Sequence, residues 1–175
     1  MLIPKTASHT LSVREQTVLT RMHRLQALGL GPEAIAAQLN SEGLRTPNGT
    51  RWRAHAVHDI LLQLARYAAQ QIAADAELLW QALCKLEPLG SAPISVCELR
   101  PAMPQLAHDD FDRAALHLRN QQCVFLNRHD FPHSLPEQIR QQLLREGDHY
   151  YVAISIRADE NGRFPHWPPR SANGA

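Results

Sequence analysis

The chain has 175 residues, a length that suits one large domain or two small ones. Hydrophobic residues make up 44% of it and charged residues 20%, which excludes a wholly disordered chain and a collagen. Cys84, Cys97 and Cys123 are too few and too widely spaced for a disulfide framework. We expect neither a membrane span nor a signal peptide, and the composition predicts a soluble, cytoplasmic protein.

Charge is distributed unevenly along the chain. The formal net charge is +1. Up to Gln71 there are eight Lys/Arg against four Asp/Glu, whereas the remaining residues carry ten against thirteen. A basic first half and an acidic second half predict two parts with different functions.

The first half predicts three helices after a loose arm at residues 1–11. A capping box, Ser12 with Glu15, starts a helix over about 13–28, which Gly29 ends. The second helix begins at Pro32 and ends at Gly43. Apolar residues at helical spacing mark the inner faces of the three helices: Val18, Met22, Leu25 and Leu28, then Ile35, Ala36 and Leu39, then Val57, Ile60, Leu61 and Leu64.

The connection to the third helix contains a turn signal. Asn48-Gly49 is the favoured pair for a type I′ hairpin turn, with Arg45 and Arg51 on its two arms. The third helix begins near Arg53. The alanine-rich stretch 65–76 either prolongs this helix or leads into a connecting helix.

The second half predicts helices and strands in alternation. Helices are expected over 76–86, after the capping-box residues Ser95 and Glu98, from His108 onward, and over about 134–145. Strands are expected over 124–126 and 150–156, with Tyr151, Ala153 and Ser155 on one face. The tail from residue 158 is rich in Pro and Gly and predicts disorder.

One ordered set of motifs resembles a known family. The set comprises Ile35-Ala36-x2-Leu39-Asn40, then Gly43-x2-Thr46-Pro47, then Gly49-x2-Trp52, then Val57-x2-Ile60-Leu61. Over residues 17–62 the chain is similar to the DNA-binding "recombinase" domain of large serine recombinases. Only sixteen residues precede the resemblance, so we do not expect the strand-exchange chemistry of that family.

The resemblance implies a helix-turn-helix in which the segment after Trp52 lies against double-stranded DNA. A helix fits the major groove, which is about 12 Å wide. The alternative for Trp52, Val57 and Ile60 is a purely structural place in the core. The residues predicted to contact DNA in this half are Arg45, Thr46, Asn48, Thr50, Arg51, Arg53, His55 and His58.

The order of elements in the second half is that of a winged-helix domain. The fold class predicted for the whole chain is mainly α: an N-terminal helix-turn-helix and a C-terminal winged helix, an α+β domain whose two-stranded wing carries a helical insert. The expected recognition helix begins with Asp109, Asp110 and Asp112, which phosphates would repel. Arg113 and His117 on the same helix remain candidate DNA contacts, and the alternative for this half is dimerisation or docking of a protein.

Catalytic and metal chemistry receive little support. The histidines lack partners at zinc-ligand spacing, consecutive aspartates on a helix diverge, and no phosphate-binding loop or nucleophile motif is present. Cys123 is expected to pack inside. We therefore expect no cofactor, no metal, no small-molecule substrate and no enzymatic activity.

The sequence predicts a sequence-specific DNA-binding protein with four segments: an arm (1–11), a helix-turn-helix domain (12–72), a winged-helix domain (73–157) and a tail (158–175). Its expected role is that of a nucleoid-associated transcriptional regulator, or of an accessory factor of a bacterial mobile element, plasmid or phage. The alternative is an adaptor subunit of a larger defence or partition complex, in which the acidic half docks a protein partner. A homodimer would place two DNA-reading heads on half-sites about one helical turn apart.

Overall fold

A computed structural model describes residues 13–90 and 92–157. The predicted arm, the capping box at Ser12 and the predicted disordered tail therefore lie outside the described residues. The described chain is mainly helical and contains a four-stranded antiparallel sheet. None of its helices combines the length and the apolar character that a membrane span requires.

The helices and strands follow one another as α1 (Val13–Ala27), α2 (Pro32–Ser41), α3 (Ala54–Leu86), β1 (Ile94–Ser95), α4 (Val96–Ala102), α5 (His108–Asn120), β2 (Val124–Arg128), a 3-10 turn (Pro132–Ser134), α6 (Glu137–Arg140), β3 (Leu144–Glu146) and β4 (His149–Ile156). The chain forms two compact units that divide between Tyr67 and Ala68, within α3. The alanine-rich stretch thus prolongs α3, because alanine is the strongest helix former and nothing in 54–86 interrupts the helix.

The N-terminal unit packs α1, α2 and the start of α3 around one core. The core residues are Val18, Met22, Leu25, Ile35, Ala36, Leu39, Trp52, Val57 and Leu61, and Ile60 packs against them. The predicted inner faces are confirmed except at two residues. Leu28 is exposed because α1 ends one residue earlier, and Leu64 is half-buried and does not belong to this core. Glu42, beyond the end of α2, accepts hydrogen bonds of 3.1 and 3.0 Å from Arg21 Nε, and this contact lowers the pKa of Glu42.

The C-terminal unit packs the end of α3, α4 and α5 against the sheet. Strand β4 is central, with β2 along one edge and β1 and β3 along the other. The core residues are Ala76, Leu79, Trp80, Leu83, Val96, Leu99, Met103, Phe111, Ala114, Ala115, Leu118, Cys123, Val124, Leu144, Tyr151, Ile154 and Ile156. Cys123 is therefore inside, as predicted, and burial raises the pKa of its thiol.

Arg100 on α4 joins three parts of this unit. It pairs with Asp112 on α5, and its guanidinium lies 4.5 Å from the centre of the Phe111 ring. Its nitrogens also donate to the carbonyl oxygens of Gln142, His108 and Leu143, at 2.8, 3.1 and 3.3 Å. Arg100 thus satisfies the carbonyls of Gln142 and Leu143, which lie between α6 and β3 outside regular structure.

The predicted helix over 134–145 is wrong. The helical part ends at Arg140, and residues 144–146 form β3, in which Leu144 pairs with Tyr151. Leu143 and Leu144 are both buried, and pairing with β4 satisfies the backbone while it places Leu144 in the core. Tertiary burial here outweighs local helix propensity.

Two smaller predictions for this half are also corrected. Ser95 precedes α4 as expected, but its side chain makes no capping hydrogen bond. Tyr151 shares the buried side of β4 with Ile154 and Ile156 rather than lying on one face with Ala153 and Ser155. The cause is a register shift between Asn127 and Arg128 of β2, which breaks the two-residue alternation.

Candidate nucleic-acid interface

The connection between α2 and α3 forms a compact turn. The N–H of Gly49 donates to the carbonyl of Thr46 at 2.8 Å, so Pro47 and Asn48 are the central residues of the turn. Gly49 follows with φ +76, and the N–H of Thr46 donates back to the carbonyl of Thr50 at 3.0 Å.

The predicted type I′ turn is wrong, because that turn requires positive φ at both of its central residues. Asn48 does not have positive φ, and Pro47 cannot adopt it. The hydrogen bonds place Gly49 after the turn instead, a position typical of a three-residue hairpin loop. The hydroxyls of Thr46 and Thr50 lie 2.8 Å apart and close the loop further.

A side chain of α2 holds the end of this connection. Asn40 Oδ1 accepts from the N–H of Trp52, and Asn40 Nδ2 donates to the carbonyl of Trp52, both at 2.9 Å. The two bonds satisfy the backbone of a buried residue outside regular structure. Asn40 belongs to the motif set, but the sequence predicts no role for it, because the contact joins residues twelve positions apart that only the fold brings together.

Exposure alternates along residues 51–53. Trp52 is 6% exposed and belongs to the core, whereas Arg51 and Arg53 are exposed. The carbonyl of Arg53 then accepts the N–H of Val57 at 3.1 Å and so starts α3. The two arginines therefore stand immediately before the helix, at the end where backbone N–H groups favour an anion.

A groove of about 320 Å³ lies at the start of α3. Its lining consists of Thr46, Thr50, Arg51, Arg53, His55 and Ala56. The structure thus brings together five of the eight residues predicted in the N-terminal half. Arg45, Asn48 and His58 do not line the groove, although Asn48 and His58 are exposed close by in the chain.

Two arginines and no Asp or Glu line the groove. Residues 43–58 contain no Asp or Glu. The arginine–carboxylate pairs found within residues 13–90 and 92–157 involve other arginines, namely Arg21, Arg100, Arg113, Arg119 and Arg140. Two donors beside the groove segment, Arg45 Nη1 and Trp52 Nε1, are buried and have no hydrogen-bond partner.

The two candidates in the C-terminal half belong to the other unit. Arg113 on α5 pairs with Asp110, one turn earlier on the same helix. His117 is half-buried and has an interaction partner. Neither lies in the groove of the N-terminal unit.

The remaining charges on α5 serve the unit itself. Asp112 pairs with Arg100 and also accepts the N–H of Arg145 at 3.2 Å, whereas Asp109 is exposed. Asp110 and Asp112 thus pair with different arginines while Asp109 is exposed. The described residues contain no group of three or more His, Cys, Asp or Glu that could hold a metal ion.

Arg119 near the end of α5 is also occupied. Its nitrogens donate to Glu146 of β3 at 2.6 and 2.8 Å, and the hydroxyl of Tyr151 donates to the same carboxylate at 3.0 Å. The hydrogen bonds from Arg119 are the main reason that the pKa of Glu146 falls to about 2.

Comparison with protein families agrees with the motifs in the first half of the chain. The model of a family described as Recombinase matches residues 14–67, just under a third of the chain. Comparison with curated proteins and with solved structures gives no significant match. The family match indicates a DNA-related role for the N-terminal unit.

Proposed function

We propose that the protein binds double-stranded DNA through its N-terminal unit, as a regulator or accessory factor of a mobile element rather than as an enzyme. The observation that carries the proposal is the groove at the start of α3, where Arg51, Arg53 and His55 meet without a carboxylate in the surrounding residues 43–58. Such a surface suits a polyanion, because arginine binds phosphate oxygens through several donors in one plane.

The binding mode follows from the position of the cations. Helices α2 and α3 act as a helix-turn-helix, with the first turns of α3 in the major groove and Arg51 and Arg53 on phosphates. His55 and His58 face the bases from α3, and the turn at Asn48 reaches the neighbouring backbone. Phosphate contacts of this kind fix orientation, and base contacts give sequence specificity.

A second candidate function, docking of a protein partner, belongs to the C-terminal unit. Its order of helix, strand, two helices and then strands, with β4 between β1 and β2, supports a winged-helix arrangement with α6 inserted between β2 and β4. Residues 68–157 contain eleven Asp/Glu and eight Lys/Arg, and the arginines of α5 are paired with carboxylates. This balance favours a protein partner or a second copy of the chain over DNA.

The salt dependence of DNA binding tests the main proposal. The double variant Arg51→Ala, Arg53→Ala should weaken binding to a short mixed-sequence duplex. The slope of log affinity against log salt should fall by about 1.8, since each lost phosphate contact removes about 0.9. Fluorescence anisotropy across a salt series gives the slope, and circular dichroism verifies that the variant is folded.

A matched control removes the same charge from the C-terminal unit. Lys85 and Arg128 are both exposed, and Lys85→Ala with Arg128→Ala should leave the slope unchanged. An unchanged slope in the folded Arg51/Arg53 variant, or an equal drop in the control, would place the DNA surface elsewhere.

A further inference from the structure

The backbone of Trp52, which precedes α3, is held by the side chain of Asn40 on α2. Asn40 makes two hydrogen bonds of 2.9 Å to it, one as acceptor and one as donor. Only one orientation of the amide satisfies both bonds, because the oxygen must face the N–H and the nitrogen must face the carbonyl. The clamp therefore fixes both the position and the rotation of the Trp52 peptide groups.

This clamp sits between the two arginines of the groove. Arg51 and Arg53 are the chain neighbours of Trp52, and both are exposed and line the groove, whereas Trp52 is buried. On the other side of Arg51, the contacts between Thr46 and Thr50 close the loop. The segment 50–53 is thus restrained at both ends before any ligand arrives.

We infer that Asn40 is a positioning residue for DNA binding, which acts by holding Arg51 and Arg53 in place for adjacent phosphates. The inference rests on the proposed function of the same groove. Without the clamp, the segment around Trp52 has to be ordered at the moment of binding. Ordering the backbone of one residue corresponds to a loss of about tenfold in affinity.

A double-mutant cycle tests the inference in the full chain. Asn40→Ala should weaken binding to the mixed-sequence duplex about tenfold. In the Arg51→Ala, Arg53→Ala background the same change should weaken binding by less than about twofold, because the groups that Asn40 positions are already absent. A residue that only supports the fold would cause the same fold-loss in both backgrounds.

The neighbouring residue provides a matched control. Ser41 is exposed at the end of α2, and its hydroxyl donates to the carbonyl of Gln38 within that helix, at 2.8 Å. Ser41→Ala should leave affinity unchanged in both backgrounds. Alanine is a better helix former than asparagine, so Asn40→Ala does not weaken α2 itself.

Two further measurements keep the test decisive. Amide hydrogen exchange of the Trp52 N–H should accelerate in Asn40→Ala, since its acceptor is gone. If that variant does not fold, Asn40→Gln replaces it, because its amide lies one methylene too far out for the clamp. Asn40→Gln should weaken DNA binding in the unmodified background and have little effect in the Arg51→Ala, Arg53→Ala background.

The outcomes distinguish failure of the role of Asn40 from failure of the proposed DNA surface. Equal fold-losses in both backgrounds, or no loss for Asn40→Ala, would overturn the role of Asn40 while the DNA surface stands. If the Arg51/Arg53 variant itself binds like the unmodified protein, the proposed DNA surface fails first and the role of Asn40 fails with it.

Discussion

Arg100 illustrates how a single charged side chain organises the C-terminal unit. Its pair with Asp112 is largely shielded from solvent, with side-chain exposures of 11% and 14%. The same guanidinium satisfies three carbonyls around the segment that leads into β3. Removal of one partner from such a pair leaves a buried charge without compensation.

Arg100→Ala should therefore lower the free energy of unfolding by about 3–5 kcal/mol. Arg113→Ala is the matched control, because its pair with Asp110 is on the surface and is worth at most about 1 kcal/mol. Urea denaturation of both variants gives the comparison. Equal losses would show that the contacts of Arg100 stabilise the unit no more than the surface pair of Arg113 does.

The residues of the candidate site were partly predictable. Arg51 and Arg53 follow from their place in the motif, and His55 follows from its position on the helix after Trp52. The role of Asn40 depends on a contact between α2 and the α3 entry, which no local pattern encodes. The pairing of Arg113 with Asp110 could not be predicted from the sequence either, since their spacing permits both an ion pair and an unpaired arginine.

The turn between α2 and α3 depends on one glycine. Gly49 has φ +76, and an added Cβ would meet no atom within 4 Å, so the cost of a substitution is the backbone conformation alone. Gly31 also has open space around it but has an extended backbone with φ −77. The two glycines therefore differ in backbone conformation but not in the space around a Cβ, so their comparison isolates backbone strain.

Gly49→Ala should lower the free energy of unfolding by about 1 kcal/mol. Gly31→Ala should change it by less than about 0.5 kcal/mol, since the entropy removed from the unfolded chain offsets the weaker helix start. Urea denaturation followed by tryptophan fluorescence measures both. A loss at Gly31 as large as that at Gly49 would contradict the assigned turn.

Elements with a clear sequence pattern were predicted, including strands β2 and β4, whereas the two shortest strands were not. Helices α1, α2 and α5 follow from their spacing of apolar residues and their end signals. Strands β1 and β3 have two and three residues, too few to show alternation, and they exist because β4 lies beside them. The same pairing turned the expected helix near Leu144 into a strand.

At the scale of the whole chain, charge separates the two units. The described cations without a carboxylate partner include the arginines of the N-terminal groove, whereas the arginines of α4, α5 and α6 are paired within the C-terminal unit. The uneven charge was visible in the sequence. Which arginines remain available for a ligand was not, because that depends on contacts between distant residues such as Arg119 and Glu146.

The most direct measurement is a titration of the isotopically labelled full chain with a short DNA duplex, followed by amide chemical shifts. If the N-terminal groove binds DNA, we expect shifts concentrated in residues 44–58, with the largest at Thr50, Arg51 and Arg53, and little change on α5. Shifts concentrated on α5 and the sheet, or no shifts at low salt, would contradict DNA binding by this groove.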